Sequence, residues 1–361
     1  MSPPPSTISN PPSLVQPPRL DKPLPLTAHS WPEGTVPVVT IRCITYNHKK
    51  FIRETIEGFL MQETTFPVEI LIHDDASTDG TADIIREYRD KYPLLFQTIL
   101  QKENQYSRGK SPKVREQINS LISGEFIALC EGDDYWTSPS KLQKQLDFLS
   151  AHSDYTICFH NVTALPEDSS RTPYSICPTN QKESSTIEDL ILSDFIPTCS
   201  MMFPRSKLQP FPEWCNKLKQ GDWVMEIMLA KQGDIGYINE SMACYNVHSG
   251  GAWSTLPRTI RNEDVIKFYH YINPYLDFRF DATIRTIVSD LHYELAWLYK
   301  SQGDTIKAQS NLLGYALNMP SRDKLFQAQL IKIIILFYFP YSCAILNKIK
   351  NALKQMKAIT R

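Results

Sequence analysis

The chain has 361 residues, of which 42% are apolar and 21% are charged. A chain of this size and composition can bury a substantial core, which excludes an intrinsically disordered protein and fits two domains or one large one. Its 38 Lys and Arg residues are balanced by 39 Asp and Glu residues, for a formal net charge of −1. Because this balance gives no basic excess to attract a phosphate backbone, we expect no nucleic acid among its partners.

The amino-terminal segment is rich in proline. Residues 1–37 contain eleven prolines, and so many fixed φ angles and missing N–H donors predict a flexible or polyproline-like leader. The segment has no apolar core behind a positive region, so it does not resemble a secretory signal. The eight cysteines lack metal-ligand spacing, and several lie in apolar runs typical of buried thiols in a reducing compartment. We therefore expect a cytoplasmic protein.

From residue 38 onward, short β-rich runs alternate with amphipathic runs, the pattern of βαβ units around a mainly parallel sheet. The apolar spacing predicts strands at 38–45, 68–73, 96–100 and 125–130 and helices at 51–61, 81–92 and 113–121. Acidic residues follow the second and the fourth of these strands. Ligands of open α/β sheets bind beyond the carboxyl ends of the strands, so we expect the two acidic groups to share one site.

The carboxyl-terminal part, 256–361, is predicted to be a helical extension. Apolar residues on both sides of a Gly303–Asp304 break predict a helical hairpin that resembles a single tetratricopeptide unit. The apolar run 331–346 is shorter than the ~20 residues of a membrane span. Lysines follow it, so the segment 331–357 could form a peripheral contact with an anionic membrane at the inner face, with a buried or partner-packed helix as the alternative.

Three polar motifs follow predicted strands in chain order: ITYNH at 44–48, HDDASTDGT at 73–81 and EGDDYW at 131–136. Carboxylates that lie near backbone amides and can hold Mg²⁺ or Mn²⁺ suit a ligand rich in phosphate oxygens. In combination, these motifs resemble those of the family 2 glycosyltransferases, whose nucleotide-sugar-binding fold is called GT-A. The resemblance covers about residues 36–254 and implies a GT-A-like α/β domain at 38–255.

The resemblance also implies where a nucleotide-sugar donor binds. Thr45, Tyr46 and Asn47 correspond to the family's T-Y-N-like turn, which helps to wall the nucleotide pocket. Asp74 and Asp75 correspond to the family's acidic pair, and we assign Asp75 to the nucleotide base.

The family's D-x-D motif corresponds to residues 131–134, where Glu131 replaces the first Asp. The resemblance implies that Asp133 and Asp134 contact the ribose and a Mn²⁺ or Mg²⁺ bound to the diphosphate. His248, in YNVHSGG at 245–251, is a further candidate ligand, although a lone histidine is also commonly structural. His48 and His73 flank the motifs and are interpreted as helix-start or strand-end residues.

A predicted helix at 223–231 is preceded by Gly221 and Asp222. In the family an acidic residue at this kind of position acts as general base, where many relatives carry Glu-Asp. Asp222 supplies the single carboxylate that can accept a proton from an acceptor hydroxyl. An N-cap role for Asp222 is the alternative, and the two roles are compatible.

The resemblance thus implies an inverting, metal-dependent hexosyltransferase that moves a sugar from a nucleotide-diphosphate sugar to an acceptor hydroxyl in glycan or polysaccharide biosynthesis. The acceptor could be a glycan, a lipid-linked glycan or a protein, and the long loops predicted at 160–197 are candidates for its selection. Because Glu131 and Gly221 depart from the family pattern, a catalytically degenerate scaffold that binds nucleotide sugar or glycan remains the alternative.

Overall fold

The structure is a computed structural model that describes residues 18–109, 111–168, 170–251 and 255–319. These residues fall into two compact units, one ending at Thr255 and one beginning at Leu256. The first half of the proline-rich leader and the apolar segment 331–346 with the lysines that follow it lie outside the described residues. No helix within the described ranges is long and apolar enough to cross a membrane.

The first unit is a layered α/β structure. Its strands are β1 (Leu24–Pro25), β2 (Val39–Thr45), β3 (Glu63–Thr64), β4 (Val68–Asp74), β5 (Phe96–Leu100), β6 (Phe126–Leu129), β7 (Tyr135–Trp136), β8 (Tyr155–Pro166), β9 (Tyr174–Ser175), β10 (Ser184–Ser185), β11 (Met202–Pro204) and β12 (Asp234–Val247). Its α-helices are α1 (Ile52–Leu60), α2 (Thr81–Lys91), α3 (Ser111–Leu121), α4 (Lys141–Ala151), α5 (Ile187–Leu192) and α6 (Gly221–Ala230).

One central sheet runs in the order β10-β12-β8-β11-β6-β2-β4-β5, with β7 paired to β12 and β9 paired to β8. The strands β6, β2, β4 and β5 are mutually parallel, and β12 is parallel to β8. The short strand β11 runs antiparallel to both β6 and β8 and joins the two halves. The fold class predicted from the sequence, a mainly parallel sheet flanked by helices, is therefore confirmed.

The parallel half forms because its strands are apolar enough to be covered on both faces. All seven residues of β4 are buried, and the helix α1 contributes fully buried Ile52, Ile56 and Phe59 to the same core. Gly58 allows α1 to approach β7 closely, because a Cβ at this position would lie 2.9 Å from backbone atoms of Trp136. Every strand and helix predicted between 38 and 130 is present, with ends within two residues of the prediction.

Two expectations for this unit need correction. The segment 160–197 is not a run of long loops, because β8 extends to Pro166 by pairing with β12, and β10 and α5 occupy 184–192. The prolines of that segment lie at the end of a strand or between elements, where the missing N–H removes no hydrogen bond between strands.

The second half of the leader, 18–37, is ordered on the domain and is not a flexible tail. β1 pairs with β3, and Leu26, which is 1% exposed, donates its N–H to the carbonyl of Gln62. The Nε2 atom of His29 lies within hydrogen-bonding distance of the carbonyl oxygens of Leu24 and Thr64. Proline is compatible with the short pairing of β1 and β3, because a two-residue strand needs few backbone N–H donors.

The second unit contains the helices α7 (Arg258–Tyr275), α8 (Asp281–Ser301) and α9 (Thr305–Asn318). The predicted hairpin is confirmed in α8 and α9, which are joined by Gly303 at φ +81° and by Asp304, whose carboxylate accepts the N–H of Lys307. The hydroxyl of Ser289 donates to the carbonyl of Tyr315 across the hairpin.

Candidate active site

The three polar motifs meet at one edge of the central sheet. Thr45 and Asp74 are register partners at the carboxyl ends of β2 and β4. The N–H of Asp75 donates to the carbonyl of Thr45 over 3.0 Å, and the N–H of Gly132 donates to the carbonyl of Ile44 over 2.9 Å. The acidic groups after β4 and β6 therefore converge on the end of β2, as the sequence predicts.

The loop after β2 is fastened to the loop after β4. Asn47 has φ +55°, a left-handed conformation that asparagine tolerates. Its N–H donates to the hydroxyl of Ser77, and its side-chain oxygen accepts the N–H of Thr78. Asn47 thus shapes this wall of the site, whereas Tyr46 beside it is 44% exposed and open to a ligand.

Backbone N–H groups hold the two aspartates after β4. The carboxylate of Asp74 accepts the N–H and the hydroxyl of Ser77. The two oxygens of Asp75 accept the N–H groups of Gln105 and Tyr106 over 2.8 and 3.0 Å. Asp75 is only 6% exposed, so these donors fix its carboxyl group in one orientation.

A cavity of about 550 Å³ connects this acidic pair with the start of α6, because both Asp75 and Gly221 line it. Its wall also carries Arg115, whose guanidinium lies 4.5 Å from the ring centre of Phe211 and donates to the side chain of Asn216. The volume is typical of a small-ligand site. The sequence analysis did not single out Arg115, which no local motif marked.

Asp133 lies between two histidines. Its Oδ2 atom is 3.1 Å from Nε2 of His248 and 3.5 Å from Nε2 of His48. The ring of Phe51 lies 4.7 Å from that of His248. Desolvation lowers the pKa of His48 although the charge of Asp133 acts in the opposite direction, and a neutral imidazole can act as a ligand. The predicted pair of Asp133 and His248 is thus brought together, and His48 joins it in addition.

Asp134 has a different environment from Asp133. It is 2% exposed, and its Oδ1 accepts the N–H of Asn246 over 2.9 Å. The side-chain amide of Asn246 donates to the carbonyl of Asp133 over 2.6 Å. Desolvation and the neighbouring charges of Asp133 and Glu131 raise the pKa of Asp134 well above its ordinary value. This geometry favours a structural role for Asp134, which ties the acidic motif to β12.

The side chains fit a metal ion that is shared with a ligand. In the described ranges no group of three or more His, Cys, Asp or Glu side chains is arranged to hold a metal ion. Mg²⁺ is commonly held by one or two carboxylates together with substrate phosphates. Asp133 and His248 supply such a partial set at the sheet edge, and further ligands would come from a bound diphosphate.

Asp222 lies in the first turn of α6, and its Oδ1 accepts the N–H of Trp223 over 2.9 Å. The residue is exposed to solvent. Desolvation raises its pKa above the ordinary value, although hydrogen bonds from the N–H of Trp223 and from Thr198 oppose the shift. Raised basicity and solvent access are the properties that a general base requires.

Further carboxyls surround Asp222. Desolvation, followed by the charges of Asp133 and Asp222, raises the pKa of Glu131 to about 8. Glu226, one turn along α6, is 1% exposed, and neither of its carboxyl oxygens has a hydrogen-bond partner among the described residues. Desolvation, followed by the charge of Asp194, raises the pKa of Glu226 well above its ordinary value. The sequence analysis missed Asp194 and Glu226, although a single Glu inside the apolar run WVMEIMLA at 223–230 was a detectable signal.

Comparison with known proteins identifies the domain. Residues 40–207 match the family model described as glycosyl transferase family 2. Over 216 residues the chain is 38% identical to an uncharacterized protein of Mycobacterium tuberculosis strain H37Rv, an alignment that covers 60% of each protein. Over 228 residues it is 27% identical to the putative teichuronic acid biosynthesis glycosyltransferase TuaG of Bacillus subtilis, which covers 62% of this chain and 86% of TuaG.

The fold is also similar to that of a solved structure, the mannosyltransferase PcManGT from Pyrobaculum calidifontis in complex with GDP-Man and Mn²⁺. The TM-score is 0.51 at 17% sequence identity, and the match covers 88% of this chain and 87% of that one. Residues 40–207 thus match the model of glycosyl transferase family 2, and the fold is similar to the GT-A fold that the sequence predicts. It spans about 60% of the length of its mycobacterial relative.

Proposed function

We propose that the protein is a metal-dependent, inverting glycosyltransferase that moves a hexose from a nucleotide-diphosphate sugar to an acceptor hydroxyl. The observation that carries the proposal is a cavity lined by Asp75, after β4, and by Gly221 at the start of α6. A candidate nucleotide contact therefore lines the same cavity as the residue that directly precedes the candidate general base, in a domain that matches glycosyl transferase family 2.

Asp75 is the proposed contact of the nucleotide base. Its two oxygens already accept one N–H each from Gln105 and Tyr106, and each oxygen of an ionised carboxylate retains a second lone pair for a ligand N–H. Thr45 and Tyr46 form the adjoining wall at the end of β2, and the fastened loop at Asn47 keeps that wall in place. The solved PcManGT complex with GDP-Man supports a nucleotide-sugar donor for this fold.

Asp133 and His248 are the proposed ligands of a Mn²⁺ or Mg²⁺ ion. Such an ion, when bound with the donor, neutralises charge on the departing nucleoside diphosphate. The hydrogen bond from Asn246 to the carbonyl of Asp133 holds the acidic turn in position. The sequence also predicts Asp134 as a ligand, but its buried hydrogen bond to Asn246 favours a supporting role.

Asp222 is the proposed general base. It removes the proton from the acceptor hydroxyl while the acceptor oxygen attacks the anomeric carbon from the face opposite the diphosphate. The new glycosidic bond forms as the bond to the diphosphate breaks, and the configuration inverts in this single displacement. The hydrogen bond from the N–H of Trp223 orients the carboxylate.

A growing glycan or polysaccharide is the proposed acceptor. The relative TuaG carries the name of a putative teichuronic acid biosynthesis glycosyltransferase, and the alignment covers 86% of its length. A hydroxyl of a glycan, free or linked to lipid, is the nucleophile that such biosynthesis requires.

The test is turnover of a panel of UDP-, GDP- and dTDP-sugars by the purified full chain, with Mn²⁺ or Mg²⁺ and a mixed set of glycan acceptors. We expect release of one nucleoside diphosphate that depends on the cation, with a product of inverted anomeric configuration. Metal-dependent nucleotide binding without turnover of any donor would instead indicate the scaffold alternative. A product with retained configuration would refute the single displacement.

A further inference from the structure

A lysine is completely buried close to the acidic motif at 131–136. Lys141, the first residue of α4, is 0% exposed. Its Nζ atom lies 3.8 Å from the centre of the Trp136 ring and donates to Oε1 of Gln145 over 2.7 Å. Lysine is almost never fully buried unless it is paired with an opposite charge. The contacts described for Lys141 are an aromatic ring face and an amide oxygen, so its burial costs more free energy than burial of a paired charge.

No carboxylate offsets the charge of Lys141 among the described residues. The titratable groups that act on its ammonium are the thiols of Cys130, Cys158 and Cys199. Desolvation outweighs them and lowers the pKa of Lys141 to about 7. Desolvation, followed by the charge of Lys141, also lowers the pKa of His160 on β8 well below its ordinary value. Below pH 7 the ammonium therefore makes the fold less stable, which is consistent with a role in positioning rather than in stability.

Trp136 is fixed from several sides. Its ring lies against the ammonium of Lys141 and, at 4.8 Å between ring centres, against Phe59 on α1. Its indole N–H donates to the carbonyl of Cys199 over 2.8 Å, and the residue is 1% exposed. Because the face of an aromatic ring attracts a cation, the ammonium favours the orientation of the indole in which this hydrogen bond forms.

Gln145, one turn along α4, links Lys141 to two further segments. Its side-chain oxygen accepts from the ammonium. Its side-chain nitrogen donates to the carbonyls of Cys158 on β8 and Ser200 before β11, over 2.9 and 2.8 Å. With the oxygen facing Lys141, the amide presents its N–H groups to these carbonyls. Lys141 thus sets the orientation of both Gln145 and Trp136.

The position of Trp136 bears on the proposed metal ligands. Trp136 is part of β7, which pairs with residues 243–244 of β12. The same strand continues to Asn246, whose side chain donates to the carbonyl of Asp133. His248 directly follows this strand, and its Nε2 atom lies 3.1 Å from Oδ2 of Asp133. A shift of Trp136 would therefore displace Asp133 relative to His248.

We propose that Lys141 is a positioning residue of the metal site: its buried ammonium orients Trp136 and, through the pairing of β7 with β12, holds Asp133 against His248. This inference rests on the metal ligands named in the proposed function. Because Lys141 is completely buried, it does not touch the donor, the cation or the reacting atoms, and it exchanges no proton during transfer. The contacts of Asp75, which follows β4, are not part of this network.

Lys141→Met removes the ammonium and keeps an unbranched side chain of similar size. We expect it to reduce the gain in nucleotide affinity from Mn²⁺ by about fivefold, the scale of one lost buried interaction. Binding without the cation should stay unchanged, because it depends on Asp75. Titration calorimetry of the full chain measures both, with whichever of UDP, GDP and dTDP the unsubstituted protein binds most tightly.

The matched control is Lys144→Met on the same helix. Lys144 is 40% exposed and pairs with Glu240 on β12. Exposed ion pairs contribute little to stability, so we expect this variant to keep both the affinity without cation and the full response to Mn²⁺.

Urea unfolding separates positioning from a general structural role. Because a charge at Lys141 lowers stability below pH 7, we expect Lys141→Met to be at least as stable as the unsubstituted protein at pH 6. A residue that only supports the fold would instead lose stability together with both kinds of binding. Trp136→Phe keeps an aromatic ring and removes the N–H that binds the carbonyl of Cys199, so it should show the same selective loss of the Mn²⁺ response.

An Mn²⁺ response that is unchanged in Lys141→Met, or a loss that is equal with and without Mn²⁺, would overturn the proposal. If Lys141→Met fails to fold, Trp136→Phe provides the same comparison. Absence of nucleotide binding or of any Mn²⁺ response in the unsubstituted protein would refute the metal site of the proposed function. Ring ¹⁵N NMR of His248, assigned with His248→Gln, then decides the positioning role without metal. Its signals should change in Lys141→Met and not in Lys144→Met, and unchanged signals in both would overturn that role.

Discussion

The acidic side chains that follow β4 and those around α6 are the same residue types, but their electrostatic surroundings are opposite. Asp74, Asp75 and Asp79 each accept N–H donors from neighbouring loops. Burial alone would raise the pKa of Asp79, but hydrogen bonds from Thr81 and Lys49 lower it. These groups are held as fixed anions that can orient a ligand.

Around α6, carboxyls face one another with few donors. Desolvation and like charge raise the pKa values of Glu131 and Glu226, and desolvation raises that of Asp222. These carboxylates are therefore more basic than usual, because a carboxylate that is costly to ionise accepts a proton readily. In the proposed site, the carboxylates assigned to the nucleotide-sugar donor are therefore held by hydrogen bonds, whereas the carboxyls near the proposed general base have few hydrogen-bond donors.

Removal of the base should have the largest effect. We expect Asp222→Asn to lower kcat by about 10²–10⁴-fold, the usual contribution of general base catalysis, while nucleoside diphosphate affinity stays within about twofold. Steady-state assays and calorimetry on the same preparation measure both. Asp83→Asn, at an exposed site on α2, is the matched control, and equal loss of turnover in both variants would remove Asp222 from the mechanism.

Substitution of Asp133 should weaken the effect of the cation on nucleotide binding. We expect Asp133→Asn to reduce the gain in nucleotide affinity from Mn²⁺ by about tenfold to a hundredfold, because an amide is a weaker ligand than a carboxylate for a hard cation. Titration calorimetry with and without Mn²⁺ measures the difference. An undiminished response to Mn²⁺ would assign the ion to other ligands.

Substitution of Asp75 should weaken binding with or without the cation. Hydrogen bonds to a charged group contribute about 1.5–3 kcal/mol each, so we expect Asp75→Asn to weaken nucleotide affinity by about ten- to a hundredfold. The Mn²⁺ response should persist in this variant, in contrast to Asp133→Asn. If calorimetry shows that both variants lose the Mn²⁺ response, or that both lose affinity without the cation, the division of the site into contacts to the nucleotide base and contacts to the diphosphate is wrong.

Neutralising Glu131 should stabilise the protein at high pH. The folded-state pKa of about 8 lies above the ordinary value of 4.5, so ionisation of Glu131 costs stability progressively as pH rises between these values. We expect Glu131→Gln to raise the free energy of unfolding by about 4 kcal/mol at pH 8 and by nearly nothing at pH 4.5, since each pH unit between the two pKa values contributes about 1.4 kcal/mol. Urea denaturation without divalent cation tests this, and a gain that is equal at both pH values would contradict it.

Loss of the Asn246 amide should have the smallest effect. The hydrogen bond from its side chain to the carbonyl of Asp133 is a neutral one, for which about 1 kcal/mol is typical. We therefore expect Asn246→Ala to weaken nucleotide binding in the presence of Mn²⁺ by about fivefold and to leave binding without Mn²⁺ unchanged. An equal loss in both conditions would show that Asn246 supports the whole pocket.

The sequence predicted the parallel half of the fold and the convergence of the motifs well, because both depend on local patterns. β4 is buried throughout, and its last residue is the acidic Asp74. The position of a carboxylate after a buried parallel strand is then a consequence of topology. Thr45, Asp75 and Asp133 could be found this way.

The cluster of carboxyl side chains around α6 could not be predicted from the sequence in the same way. Asp194, Glu226 and Glu131 are brought together by three separate segments, and their interaction depends on packing that no local pattern records. The ordered part of the leader was missed for a similar reason, since Leu26 is buried only through its long-range contact with Gln62.

The most direct test of the account is calorimetric titration of the full chain with a panel of nucleoside diphosphates, with and without Mn²⁺. The account predicts that one nucleotide binds, that Mn²⁺ strengthens its binding, and that Asp75→Asn weakens it in both conditions. A correctly folded protein that binds none of the nucleotides would contradict the account, because the cavity between Asp75 and α6 would then have no donor to hold.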